Sequence, residues 1–401
     1  MESVTRGAGD REVVVTYARR YTDWRAVFTP LYPRSTTSDP DTFNNGWVGR
    51  VPGPTAGPFR FAALDETART VTLERAPLWW GNRAKLDRIV YQGIDANATA
   101  DAVDNGEADF FEIAANVNLY GRAQQMAGKV DVKRAGAPFY RHVTINGSRP
   151  HLADVRVRQA LALAIDRKTI AEALLGPLNL TPQVLNNRIY MPNHSRYEDN
   201  AGPAGAYRPD QARALLDEAG WRLSGGTRTK DGRPLTIDVV ISSGIAESKT
   251  ETDLIKTMLG QVGVAVTVRP VPAGEFFSKQ VTPGNFDIAV FTWGGRPFPI
   301  SINESIFANP TRRGDGQLDV QQNYARIGSE EIDALFRSAN SELDPAAAAR
   351  IANEIDGKLW QILPNIPLYQ RPDLWAVRKG LVNFGAFAYA SRVYEDIGWL
   401  A

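Results

Sequence analysis

The chain has 401 residues, 43% hydrophobic and 23% charged, enough for two or three domains with cores of their own. Its 46 basic and 45 acidic residues are interspersed and leave a formal charge of +1, which argues against a nucleic-acid binder with a basic face. Cysteine is absent, which excludes disulfides, thiolate metal sites and cysteine nucleophiles.

Near the start, "EVVVTYA" (12–18) predicts a strand, and the Pro-, Ser-, Asp- and Asn-rich "TPLYPRSTTSDPDTFNNGWVG" (29–49) predicts loop. "FRFAAL" and "TVTLERA" alternate as two strands joined by "DETA", a hairpin, and "KLDRIVYQGI" supplies a third strand. "ATADAVDNGEADFFEI" reads as a short helix, a turn at Gly106 and a strand; "VDVKRAGAPFYRHVTING" (130–147) reads as a pair of strands. After the loop "NGSRPHLA" come two helices end to end, "DVRVRQALALAIDRKTIAEALLG" (154–176), N-capped by Asp154 and Asp166 and stopped at Gly176.

"RPDQARALLDEAGW" predicts a helix ended by Gly220, and "TKDGRPLTIDVVISSG" a strand entered from the Asp231-Gly232 turn. "TETDLIKTMLGQVGVAVTVRPV" gives helix then strand, "AGEFFSKQV" a short helix and "NFDIAVFTWGG" a strand. That alternation implies parallel strands with right-handed crossovers, hence an α/β layer. Two helices, "SEEIDALFRSANSEL" and "PAAAARIANEIDGKLWQIL", precede an extended return from Pro364. No run approaches the roughly eighteen apolar residues of a membrane helix. The polar start "MESVTRGAGDREVVVTYARRY" carries no signal-peptide core.

Enzyme chemistry finds little purchase. His142, His151 and His194 form no metal-binding pair, and there is no G-x-S-x-G elbow, P-loop or dinucleotide fingerprint. Ser148 sits in a turn-forming loop, and no cofactor or metal is expected.

Five stretches, "GPFRF…VTLERAPLWWGNRAKLDRIVY", "ADAVDNGEADF", "VRQALALAIDRKTIAEALLG", "DQARALLDEAGW" and "FDIAVFTWGG", resemble in sequence and order the family 5 extracytoplasmic solute-binding proteins. These are the oligopeptide- and dipeptide-binding type that feed ABC importers, and "LYPRS…PTAGPFRF…WWG" looks most like their actinobacterial LpqW-like branch. The resemblance implies a two-lobed α/β fold of the periplasmic-binding-protein type (class II, cluster C) with a hinge and a cleft. Residues 1–45 would be a remnant of a small inserted domain, 46–142 with 373–401 an incomplete lobe one, and 143–372 lobe two. It also implies an N-terminally shortened chain, and a monomer working with membrane permease subunits, periplasmic or lipid-anchored when full length. The expected ligand is a small peptide or other polar or anionic solute. The alternative is a non-transport regulatory lipoprotein of envelope glycolipid assembly.

The site candidates centre on "FTWGGRPFP" (291–299), where a buried strand ends at Trp293, Gly294 and Gly295 allow close backbone approach, and Arg296 follows. Alternatively, the tryptophan is core and the glycines serve a turn. Family peptide binders hold ligand backbone and amino terminus at this segment, often with an Asp where this chain has Arg296. An Arg repels an ammonium and favours a carboxylate, phosphate or polyol oxygen. Tyr140, Arg141 and Asn146 form the second set; strand alternation puts Tyr140 and His142 on one side and Arg141 and Val143 on the other, without saying which faces a ligand. Tyr369 and Trp375 flank the return crossing, while Trp79 and Trp80 are expected to pack lobe one or lie at its surface.

Overall fold

A computed structural model gives the structure of the protein and describes residues 1–47, 50 and 53–400. The chain divides into two compact units, Met1–Ala26 with Gly136–Arg371 and Val27–Ala135 with Pro372–Ala401. The changeovers fall at 135/136 and 371/372, against 142/143 and 372/373 in the sequence-based division, and residues 1–26 go with the larger unit.

In the larger unit, Thr236–Ser242 pairs in parallel with Ala265–Val271 and with Ile288–Gly294. The crossover helix Ala246–Gln261 connects the first two strands, as the strand–helix–strand order predicts. Ile288–Gly294 then pairs antiparallel with the long strand Val130–Ile145, which neighbours Asn365–Arg378. Residues 130–145 form one strand of 16 residues rather than two. Gly136-Ala137-Pro138 does not break it, because Gly136 keeps an extended backbone and Pro138 still offers its carbonyl, which accepts from Gly295 N–H. Val130–Ile145 and Asn365–Arg378 both run from one unit into the other, and in the smaller unit Trp375–Val377 pairs with Phe110–Glu112.

The twin helices are Val155–Ala164 and Arg167–Leu175. Asp154 accepts from Arg156 N–H, and Asp166 from Lys168 and Thr169 N–H, so both caps are as the sequence predicts. Their faces bury Leu161, Ile165, Ile170 and Leu174 in the main core, with Ile237, Val239 and Leu259. The second helix stops at Gly176 as expected, though not through a left-handed glycine: Gly176 stays right-handed, a 3-10 turn follows, and Asn179 takes the left-handed position at φ 54°. A second core collects Ile300, Phe307, Phe336 and Leu359 around the two late helices.

The smaller unit carries the predicted hairpin Phe59–Asp65 and Thr70–Arg75, extended by Arg88–Gln92 into three antiparallel strands. One of its buried clusters centres on Val377, Leu381 and Ile397, and Val103, Phe111, Ile113 and Met126 are buried as well.

Candidate functional site

The pairing register resolves which side chains share a face. Phe291 lies opposite His142 and Trp293 opposite Tyr140, while Thr292 lies opposite Arg141. One face of this strand pair is therefore aromatic and the other polar.

On the aromatic face, Trp293 stacks on Tyr324 with ring centroids 5.6 Å apart and planes at 7°, and on His142 at 5.8 Å and 10°. Phe291 meets Trp293 edge-on at 5.1 Å, and Phe277 meets Phe291 edge-on at 5.3 Å. Trp293 and Tyr324 are only half-buried, so the outer end of this cluster is open. The cavity beneath them, lined by Thr144, Phe307 and Asn365 among others, is about 10 Å³, room for one water at most.

The two glycines past Trp293 are held close to the neighbouring strand. A Cβ on Gly294 would stand 3.2 Å from the Phe139 ring, and one on Gly295 would run into the Pro138 carbonyl that Gly295 N–H donates to. Gly295 is thus required by packing. Arg296 follows, exposed, and among the described residues its guanidinium has no ion-pair or hydrogen-bond partner. The helix Pro299–Phe307 comes next; the Asp23 carboxylate accepts from Ser301 N–H at 2.9 Å and caps its first turn. Asp23 lies 278 residues away in sequence, and nothing local predicts it.

The other expected ligand residues lie inside. Arg141 is 3% exposed on the polar face, its Nε 2.9 Å from Glu251 Oε1 and its other nitrogens on Ser248 and Thr292 hydroxyls. Tyr369, fully buried, donates to the same carboxylate at 2.7 Å. Burial alone would lower the Arg141 pKa; the adjoining Glu251 charge more than offsets this and holds it above its usual value. Burial, and then the same carboxylate, push the Tyr369 phenol well up. Asn146, also fully buried, donates to the Gly284 and Phe286 carbonyls and ties the strand end to the loop before Ile288. Tyr140 is 2% exposed, beneath Trp293 on the aromatic face. These four groups build and orient the sheet under the platform and present no free polar atom at its surface. Trp375 belongs to the smaller unit, where it packs on Phe110 and Phe384 and donates to Asp373.

Tyr324, Phe277 and Glu251 are the members that sequence reading did not single out. Glu251 had one signal, a charged residue at a position facing inward from the helix Ala246–Gln261. A larger hollow, about 470 Å³, lies in the smaller unit among Ile89, Tyr91, Phe110, Phe384 and Trp399. It holds none of the candidate residues; its lining joins that apolar floor to charged side chains, among them Arg88, Glu107, Asp109 and Glu112.

No group of three or more metal-ligating side chains occurs among the described residues, and no helix there is long and apolar enough to cross a membrane. The chain is 38% identical to the oligopeptide-binding protein OppA of Mycobacterium tuberculosis over 99% of its own length. It spans 66% of that relative, just under two thirds. It is 26% identical, over 73% of its length and 49% of the relative's, to LpqW of the same species, named as a probable monoacyl phosphatidylinositol tetramannoside-binding protein. Among solved structures, the periplasmic EDTA-binding protein EppA superposes with a TM-score of 0.88 at 22% identity, covering 100% of this chain and 76% of that one, a likeness of fold. Residues 2–312 match the family of bacterial extracellular solute-binding proteins, family 5. With its α/β units, its strand-end aromatic platform and this match across most of its length, the chain belongs to the family 5 extracellular solute-binding proteins.

Proposed function

We propose that this chain is the substrate-binding component of an ABC importer, non-catalytic and extracytoplasmic, which captures a peptide or another polar solute and delivers it to membrane permease subunits. The observation that carries this is the 38% identity to an oligopeptide-binding protein across 99% of the chain. The larger unit corresponds to the second lobe of the family fold and the smaller unit to the first. The ligand contacts are Trp293, Gly294 and Arg296, with Tyr324 stacked beside them; Tyr140, Arg141, Asn146 and Tyr369 support them from within. An exposed, unpaired guanidinium three residues past Trp293 suits the carboxylate end of a peptide, or another anionic or oxygen-rich group.

The test is titration calorimetry with a short-peptide library in free-acid and C-terminally amidated forms. Free acids should bind more tightly, and Arg296→Ala should weaken them by about 1.5–3 kcal/mol, the worth of a hydrogen bond to a charged group. Equal affinity for both forms, unchanged in Arg296→Ala, would remove the carboxylate from the reading. A second reading, a lipid-anchored regulatory protein of envelope glycolipid assembly, draws on the 26% identity to LpqW. It predicts retention of a glycolipid headgroup in native mass spectra and no peptide binding.

A further inference from the structure

The two most exposed large hydrophobic side chains among the described residues sit two positions apart on one turn of the smaller unit. They are Leu78, 94% exposed, and Trp80, 85% exposed. Nothing in the solute-binding reading uses them, and scattered surface apolar residues would not cluster at the extremes of exposure in this way.

The turn is built to hold its shape. It joins Thr70–Arg75 to Arg88–Gln92, and the Arg75 guanidinium closes its base by donating to the Ala84 carbonyl at 2.8 Å and the Lys85 carbonyl at 3.3 Å. Pro77 stiffens its entry, and Trp79 N–H bonds back to the Ala76 carbonyl. Trp79 is half-buried and packs against Trp80 at 4.7 Å, which leaves Leu78 and Trp80 as the outward pair. A preorganised apolar tip loses little conformational entropy on binding.

The turn's own sequence is basic: residues 75–88 include Arg75, Arg83, Lys85 and Arg88 against one acid, Asp87, and Lys85 stands 3.7 Å from the Asp396 carboxylate. Asp87 is already paired with Arg75 at 2.7 Å, while exposed Arg83 has no ion-pair partner among the described residues. A tryptophan and a leucine projecting together beside uncompensated arginine match the boundary of an anionic bilayer, where an indole sits at headgroup depth and cations meet lipid phosphates.

We propose that the Leu78–Trp80 turn is a peripheral membrane contact that seats the smaller unit on an anionic lipid surface. The test is co-sedimentation of the whole chain with vesicles of phosphatidylglycerol mixed with phosphatidylcholine, and with vesicles of phosphatidylcholine alone. The unmodified chain should pellet with the anionic vesicles. Leu78→Ser with Trp80→Ser should reduce partitioning at least about tenfold, since both apolar groups leave the interface. Arg83→Gln should reduce it about fivefold on anionic vesicles and leave the neutral ones unaffected, in line with one basic residue near a charged surface. All these side chains are exposed, so melting curves should stay in place; Leu78→Ser alone serves if the double variant misfolds. Failure of the unmodified chain to bind anionic vesicles, undiminished binding by the serine variants, or capture of a protein at this turn without lipid affinity would each overturn the proposal. Peptide titrations are unaffected by any of these outcomes, so the solute-binding reading stands or falls separately.

Discussion

Arg141 and Glu251 show how a residue that looks like a ligand group can be committed to the scaffold. Their side chains are 4% and 0% exposed, and the guanidinium reaches the carboxylate, two hydroxyls and no solvent. Glu251→Ala would leave a buried guanidinium without its counter-charge and the Tyr369 hydroxyl without its acceptor. It should cost about 3–5 kcal/mol in urea unfolding. A loss below about 1 kcal/mol would mean that water enters and replaces the carboxylate. His142 supplies a pH dependence from the other face. Burial, and then the Arg141 charge, hold it well below the ordinary 6.5. Below that pH the unfolded chain binds a proton here and the native chain does not, so stability falls as pH drops, by up to about 1.4 kcal/mol per pH unit. Above it neither state carries the proton and this contribution is flat. Urea melts stepped from neutral to mildly acidic pH should show a shallower decline for His142→Gln; identical slopes would mean that other groups carry the dependence.

At the scale of elements, the twin helices owe their starts to two aspartates and their positions to the sheet they cover. Asp154→Ala and Asp166→Ala each remove a side-chain acceptor from helix-start N–H groups and should each cost about 1 kcal/mol. The effects should be separable, because each cap serves its own helix. Circular dichroism melts of the two single variants and the double variant would check this. A double variant no less stable than either single one would show that the helices stand on burial alone. Strand ends follow a different logic: Trp293 and Gly294 are placed by a register of seven partner pairs with Val130–Ile145.

Across the whole molecule, stability is uneven. The larger unit has extended clusters of fully buried side chains, among them Val143, Leu161, Ile237 and Leu259. In the smaller unit the three-stranded sheet Phe59–Gln92 has Phe59 as the only buried residue along its strands. Local opening should follow that difference, since few buried apolar contacts oppose it. Deuterium exchange measured by mass spectrometry should show Thr70–Arg75 exchanging well before Thr236–Ser242 and Ile288–Gly294. Equal protection would mean that the smaller unit opens only with the rest of the chain.

Local chemistry in the sequence determined the elements whose cause is local. The aspartate caps, the Asp231-Gly232 turn at positive φ, the hairpin from residue 59 and the helix–strand alternation of the α/β layer are all legible there. The same reading marked Trp293 to Arg296 as a strand-end site, but could not say which face of the neighbouring strand lay beneath it. That needed the pairing of Trp293 with Tyr140, set by the register between strands about 150 residues apart. It also could not find Glu251, 110 residues from Arg141, or the Tyr324 ring stacked on Trp293. A residue's type says which partners it can satisfy. Which of them it meets, and whether its polar atoms then point to solvent or to one another, was decided only when the tertiary structure removed water from around them.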